Sequence, residues 1–243
     1  MTDVLLQVSG LSKRFGGFVA LADIDLDVST GERLGLIGPN GSGKSTLVNC
    51  ISGTLRNETG SVRFDGRVMD ALPPHQRTRL GLARGFQLPR PFHTMTLAEN
   101  LRIPMLYVVE ARGDTVAGGV DSRCLALLDM VGLADKAHRL PKDLTQIEMR
   151  KLELARAMAA EPKLLISDEA MAGLSHHEID DILMLLIRLN EQGVTIIMIE
   201  HIMRAVLAFS QRLVCLVAGR KIADGDPQAV VRQDDVVQAY LGS

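Results

Sequence analysis

Nine residues, 38–46, constrain this chain of 243 residues more than any others: Gly-Pro-Asn-Gly-Ser-Gly-Lys-Ser-Thr. They satisfy the pattern G-x-x-x-x-G-K-[ST], with Gly38, Gly43, Lys44 and Ser45 at its fixed positions. Each residue type has a physical reason to be there. Glycines let the backbone turn successive N–H groups inward as a nest for an anion. Pro39, Asn40, Gly41, Ser42 and Thr46 complete the segment that would wrap the phosphates. A helix starting where the loop ends adds its positive N-terminus. Lys44 is long enough to reach the β- and γ-phosphates, and the Ser45 hydroxyl suits Mg²⁺. The flanks agree, because 33–37 is an apolar run suited to a buried strand and 47–51 continues as a helix. The pattern implies a nucleoside-triphosphate site on a strand–loop–helix unit.

Composition narrows the setting. With 47% hydrophobic residues the chain can bury a core as a single domain, 1–243, with room for an inserted lobe. Net charge is −2 and aromatics are only 3%, so neither a basic field nor a stacking surface points to nucleic acid. Cys50, Cys124 and Cys215 are odd in number and lack C-x-x-C spacing, as expected of reduced thiols in a cytosolic protein. The first residues lack the basic and apolar regions of a secretory signal. No apolar run approaches the ~20 residues of a bilayer span, so work at a membrane requires a spanning partner.

Along the chain, 4–8, 19–28 and 33–37 read as strands, and 61–64 with Val68 as a hairpin turning at Asp65-Gly66. From about 97 to 160 the pattern changes to Leu, Ala and Met at helical spacing, a helical lobe inserted between strands. Strands at 164–167, 194–199 and 213–217 then alternate with a helix at 178–190, and about 220–243 forms a C-terminal tail. This order predicts an α/β fold: a mostly parallel core sheet covered by helices, with an antiparallel β flank.

A second acidic site makes the phosphate loop more specific. Leu164-Leu165-Ile166-Ser167-Asp168-Glu169 is an apolar strand ending in two carboxylates. Asp168 is placed to hold Mg²⁺, directly or through water, and Glu169 to act as general base toward an attacking water. With these two sites the chain resembles the ATP-binding subunits of ABC transporters, P-loop NTPases of the ABC ATPase type, over nearly its whole length. It is most similar to importer subunits for branched-chain and other hydrophobic amino acids, through Arg84-Gly85-Phe86-Gln87, Leu152-Glu153-Leu154-Ala155-Arg156-Ala157, Met171-Ala172-Gly173-Leu174, Ile199-Glu200-His201 and Gln238-Ala239-Tyr240-Leu241-Gly242. The resemblance implies that Phe15 stacks on adenine; of the two phenylalanines, nearby Phe18 reads as the core residue. It also implies that Gln87 ligates Mg²⁺ or water and that His201 meets the γ-phosphate. Head-to-tail dimers would sandwich two ATP molecules, coupled to membrane permeases and a periplasmic or extracellular solute-binding protein. The chain would then sit on the cytoplasmic face of a bacterial-type inner membrane. Other cargoes (urea, amides, an exported lipid) fit the same residues, and a soluble ABC ATPase acting in translation or repair is the alternative from another class.

Two segments depart from that family's pattern. Where the family carries Leu-Ser-Gly-Gly-Gln, this chain has Leu144-Thr145-Gln146-Ile147-Glu148. Thr145 keeps a hydroxyl for the γ-phosphate bound by the opposite subunit, but the glycines that admit close backbone approach are gone. Slower turnover is expected at the ATP site using this segment. After Glu169, Ala170 replaces the usual Pro and Ser175 the usual Asp or Asn; Ser175-His176-His177-Glu178 also reads as a helix capping box. His176-His177 lack a third metal ligand. The arginines at 77, 79, 84 and 90 are expected on a solvated face beside Gln87.

Overall fold

The computed structural model describes residues 3–85, 89–113 and 118–241. Two sheets organise them. In the antiparallel sheet, β1 (Val4–Phe15), β2 (Phe18–Ser29), β4 (Thr59–Phe64) and β5 (Arg67–Val68) lie in the order β2-β1-β4-β5. In the six-stranded sheet the order is β10-β9-β3-β8-β7-β6. There β3 (Arg33–Ile37), β6 (Leu82–Gly85), β7 (Leu164–Asp168), β8 (Thr195–Ile199) and β9 (Arg212–Val217) run parallel, and β10 (Arg220–Gly225) pairs antiparallel at one edge. Every residue of β7 and β8 is buried. Covered on both faces, such strands read as unbroken apolar runs rather than as alternation.

The helices follow the same sequence logic. α1 (Lys44–Ser52) leaves the loop at Gly43 and ends at Gly53, both with positive φ. α2 (Pro74–Arg79) begins with proline at its first position. Between β6 and β7 the described residues form helices but no strand: α3 (Leu97–Pro104), a π turn over Met105–Val109, a 3₁₀ turn over Glu110–Arg112, α4 (Val120–Met130), 3₁₀ turns over Ala134–Lys136 and Pro141–Asp143, and α5 (Gln146–Met158). α6 (His176–Glu191) starts on Ser175 in a capping box with Glu178 and buries Ile179, Ile182, Leu183, Leu186 and Leu189. α7 (Met203–Phe209), α8 (Pro227–Val230) and α9 (Asp234–Leu241) complete the chain. One apolar cluster fills the space between the two sheets and around α1, a second joins the parallel sheet to α3–α6, and a third lies under α7–α9. No helix among the described residues is long and apolar enough to cross a membrane.

Several expectations need correcting. β1 runs on to Phe15, because residues 11–15 pair with β2 although they do not alternate as an apolar strand. β6 and β10 escape the apolar pattern altogether: one is a four-residue edge strand ending Arg-Gly, the other an edge strand opening Arg-Lys. Phe18 is not in the core but 63% exposed, since the tip of the β1–β2 hairpin extends past the packed sheets. Of the four arginines, 79 and 90 are exposed, but Arg77 is 2% exposed and Arg84 only partly so. The Arg77 guanidinium donates to the Cys50 and Ile51 carbonyls at 2.7 Å each and to Leu72 at 2.9 Å. A side chain that reaches the carbonyl end of α1 finds both orphaned acceptors and the negative end of a dipole, which explains why the cation is inside.

Candidate functional site

The phosphate loop is built by the exit of β3. Gly38, Gly41 and Gly43 have φ of 150°, 77° and 105°, values that side chains rarely tolerate. At Gly43 an added Cβ would also lie 2.7 Å from the Ala20 carbonyl. The loop is braced from outside by the β9–β10 turn, where Gly219 N donates to the Ser42 carbonyl at 2.9 Å and the Gly219 carbonyl accepts from Ala22 N at 2.8 Å. Lys44 is buried, and its Nζ donates to the Gly38 and Pro39 carbonyls at 2.6 and 3.1 Å. Burial lowers the ammonium from its ordinary pKa, while the nearby charges of Glu169, Cys215 and Asp168 act in the opposite direction.

Parallel register gathers the acids and the histidine. Asp168 ends β7 opposite Ile199, the end of β8, and Glu169 N donates to the Ile199 carbonyl at 2.9 Å. Glu200 and His201 follow at once, so the His201 Nε2 lies 3.0 Å from Glu169 Oε1. A carboxylate beside an imidazole can take a proton and have it stabilised or passed on. A cleft of about 230 Å³ joins these elements, lined by Phe15, Phe18, Ala20, residues 40–46 and Glu169. Phe15 and Phe18 face each other in register across the hairpin tip, and Lys13 Nζ stands 5.5 Å from the Phe15 ring centre.

Mg²⁺ prefers oxygen donors, keeps several waters and is held by one or two carboxylates together with phosphates. Asp168 and the exposed Ser45 hydroxyl are donors of that kind, and no group of three His, Cys, Asp or Glu suggests a dedicated all-protein cage among the described residues. The donor set fits the ion. Gln87 lies outside the described residues. Arg84, from β6, donates to Asp168 Oδ2 at 2.7 Å and to Asn49 Oδ1 at 2.6 Å, tying the acid to α1. A carboxylate has a second oxygen for a cation or its water.

Thr145 is not among the residues lining this cleft. It caps α5: its hydroxyl accepts from Glu148 N at 3.4 Å while Glu148 accepts from Thr145 N at 3.0 Å. Glu148 also pairs with Lys136 at 2.5 Å. Ile147 packs on the helical cluster, and Gln146 Nε2 donates to the Ala172 carbonyl at 3.3 Å. The 144–148 segment is thus fastened in cis to the loop after Glu169.

Three participants were not anticipated as such. Arg84 was expected in solvent; its signal is a cation at the end of a strand parallel to the acidic one. Glu200 is 2% exposed and accepts from Met171 N at 2.9 Å. Burial pushes its carboxyl up to about 7 against the Met171 hydrogen bond, with the Glu169 charge adding to the rise. Tyr240 accepts from Gly38 N at 2.7 Å, a contact no local pattern announces.

Comparison with known proteins places this geometry. A family model described as ABC transporter matches residues 21–172, and one described as Branched-chain amino acid ATP-binding cassette transporter matches 220–243. The high-affinity branched-chain amino acid transport ATP-binding protein BraF of Pseudomonas aeruginosa is 35% identical, covering 100% of this chain and 99% of the relative. LivG of Escherichia coli, bearing the same description, is 34% identical over 100% and 99%. Among solved structures, a nucleotide-free ATP-binding cassette from an ABC transporter superposes with a TM-score of 0.87 at 29% identity, covering 99% of this chain and all of its own. The ADP conformation of MJ1267, another such cassette, gives 0.88 at 29% identity, covering 100% of both chains.

Proposed function

Because the chain belongs to the ABC transporter family of ATP-binding subunits, we propose that its cleft hydrolyses ATP to power an importer of branched-chain or other hydrophobic amino acids. The observation that supports the cargo class is end-to-end similarity to branched-chain amino acid transport subunits, including the separate match at 220–243. We take 1–243 as one nucleotide-binding unit, with 97–160 its inserted helical lobe and 220–243 its tail.

The proposed chemistry starts at the loop. Residues 38–46 wrap the β- and γ-phosphates, Phe15 stacks on adenine, and Lys44 turns from the Gly38 and Pro39 carbonyls to phosphate oxygens. Ser45, Asp168 and Gln87 would hold Mg²⁺, which supplies charge neutralisation on the phosphate oxygens. Glu169 takes a proton from a water whose oxygen attacks the γ-phosphorus, the bond to the β–γ bridging oxygen breaks, and ADP and phosphate leave. His201, held by Glu169, meets the γ-phosphate and orients that water. Thr145 of one subunit faces the triphosphate of the other, so catalysis requires a second ATPase subunit. Closing and opening of that dimer drive separate permease subunits fed by a solute-binding protein, with this chain on the cytoplasmic face of the membrane.

The test is reconstitution with candidate permease and binding-protein partners in vesicles. ATP-dependent uptake of labelled leucine or isoleucine, abolished by Lys44→Ala, is expected. Leucine-independent ATP hydrolysis without uptake of either amino acid would overturn the cargo assignment.

A further inference from the structure

The first amide of the phosphate loop is held from the far end of the chain. β3 ends at Ile37, whose ladder partner is Cys215 on β9. Gly38 lies one step beyond that pairing and is buried, so its N–H must find a partner or cost free energy. It donates to the Tyr240 hydroxyl at 2.7 Å, across 202 positions of sequence. The Gly38 carbonyl accepts from Lys44 Nζ at 2.6 Å. A Cβ at Gly38 would stand 2.1 Å from the Leu216 carbonyl oxygen and 2.6 Å from Ser42 Oγ, so the backbone already fills the space available to it. The residue where strand becomes loop is therefore gripped on one side by α9 and on the other by the loop's own lysine.

Tyr240 is itself firmly seated. One turn earlier on the same helical face, Val236 is 2% exposed in the cluster that contains Ile37, Val206, Leu213, Cys215 and Val230. Ile37, the last residue of β3, is thus packed by the very helix that bonds the next amide. Burial pushes the Tyr240 phenol up to about 12, so the group stays neutral.

We propose that Tyr240 is a positioning residue of the nucleotide site: its hydroxyl sets the angle at which the phosphate loop leaves β3, so docking of α9 and binding of ATP favour each other. This rests on the assignment of 38–46 as the triphosphate site. Tyr240→Phe removes one oxygen and leaves the ring in place. Its Kd for a fluorescent ATP analogue should rise roughly 3- to 10-fold, the effect of one lost hydrogen bond. The hydrolysis rate at saturating ATP should fall less than twofold. Coupling is reciprocal, so Mg²⁺-ATP should slow backbone hydrogen exchange over residues 234–241 of the wild-type chain, and this slowing should vanish in Y240F. An unchanged Kd in a folded Y240F, with or without a lower Tm, overturns the proposal, because the hydroxyl then only braces the fold. If Y240F does not fold, the wild-type measurement decides, and exchange over 234–241 indifferent to Mg²⁺-ATP overturns it. Lys44→Ala separates the two assignments: if it still binds the analogue, 38–46 is not the site, whereas lost binding beside an unchanged Y240F removes only the role of Tyr240.

Discussion

Replacing Arg77 tests how far the nucleotide site depends on a cation that never touches it. Its guanidinium satisfies three carbonyls, at Cys50, Ile51 and Leu72, within 2.9 Å. Two of them belong to the last turn of α1, the helix that begins with Lys44. Arg77→Ala takes a hydrogen bond from each of the three and leaves the Cys50 carbonyl only the Gly53 N–H at 3.3 Å. At about 1 kcal/mol for each acceptor, the low end because water entering the vacated space reaches some of them, and about 1 kcal/mol for the charge lost from a helix C-terminus, the variant should lose about 4 kcal/mol. A chain of 243 residues shifts its Tm by about 2–4 °C per kcal/mol, so calorimetry should record a fall of about 8–16 °C. Arg77→Met restores the stem but no donor and should fall nearly as far; Arg77→Lys keeps the charge without the fan of donors and should fall about half as far. A loosened α1 should also weaken nucleotide binding. Shifts under about 3 °C for both Ala and Met would refute the capping argument, showing that water replaces the guanidinium at no cost.

Three further outcomes are expected. Glu169→Gln should lower phosphate release by roughly 10²-fold or more while ATP still binds; undiminished turnover would remove Glu169 from the chemistry. In a heterodimer, that variant should leave the smaller residual rate and the matching substitution in the partner the larger, because only the surviving site in the first case relies on Leu144–Glu148; equal residual rates would count against any handicap from this segment. Glu200 gives a pH signature. Its carboxyl is raised to about 7 in the fold against about 4.3 when unfolded. The folded state therefore binds the extra proton, and stability declines between those values as pH rises, by up to about 4 kcal/mol, then levels off. Glu200→Gln keeps a neutral acceptor for Met171 N, so its Tm should exceed the wild-type value at pH 8 and match it near pH 4.5. An equal difference at both pH values would contradict this.

What the sequence disclosed, and what it hid, divides along the range of the contacts. The phosphate loop is legible because its chemistry depends on residues adjacent in the chain. Asp168, Glu169 and His201 are legible as strand-end residues, and their meeting follows from one further fact, the parallel pairing of β7 with β8. Arg77 and Arg84 were misplaced because charge alone suggests solvent, whereas one reaches a helix end and the other a carboxylate from a strand too short to register as one. Phe18 departs in the opposite direction: an apolar side chain promises a core only where a second layer covers it, and among the described residues none covers the hairpin tip. Tyr240 stood in a recognised segment, yet its partner lies 202 positions away.

Glu169 has a further consequence. It follows β7 with φ of 50°, the left-handed region that glycine and asparagine occupy cheaply and glutamate does not. Strain of that kind costs on the order of 1 kcal/mol or more, and the surrounding fold has to absorb it. With Glu169 as the proposed general base, a population selected only for heat resistance would drift toward glycine or asparagine at 169 and gain stability as it lost hydrolysis. Thermal screens of this protein need a turnover assay beside them, because the most durable chain would be one that could hold fuel but never burn it.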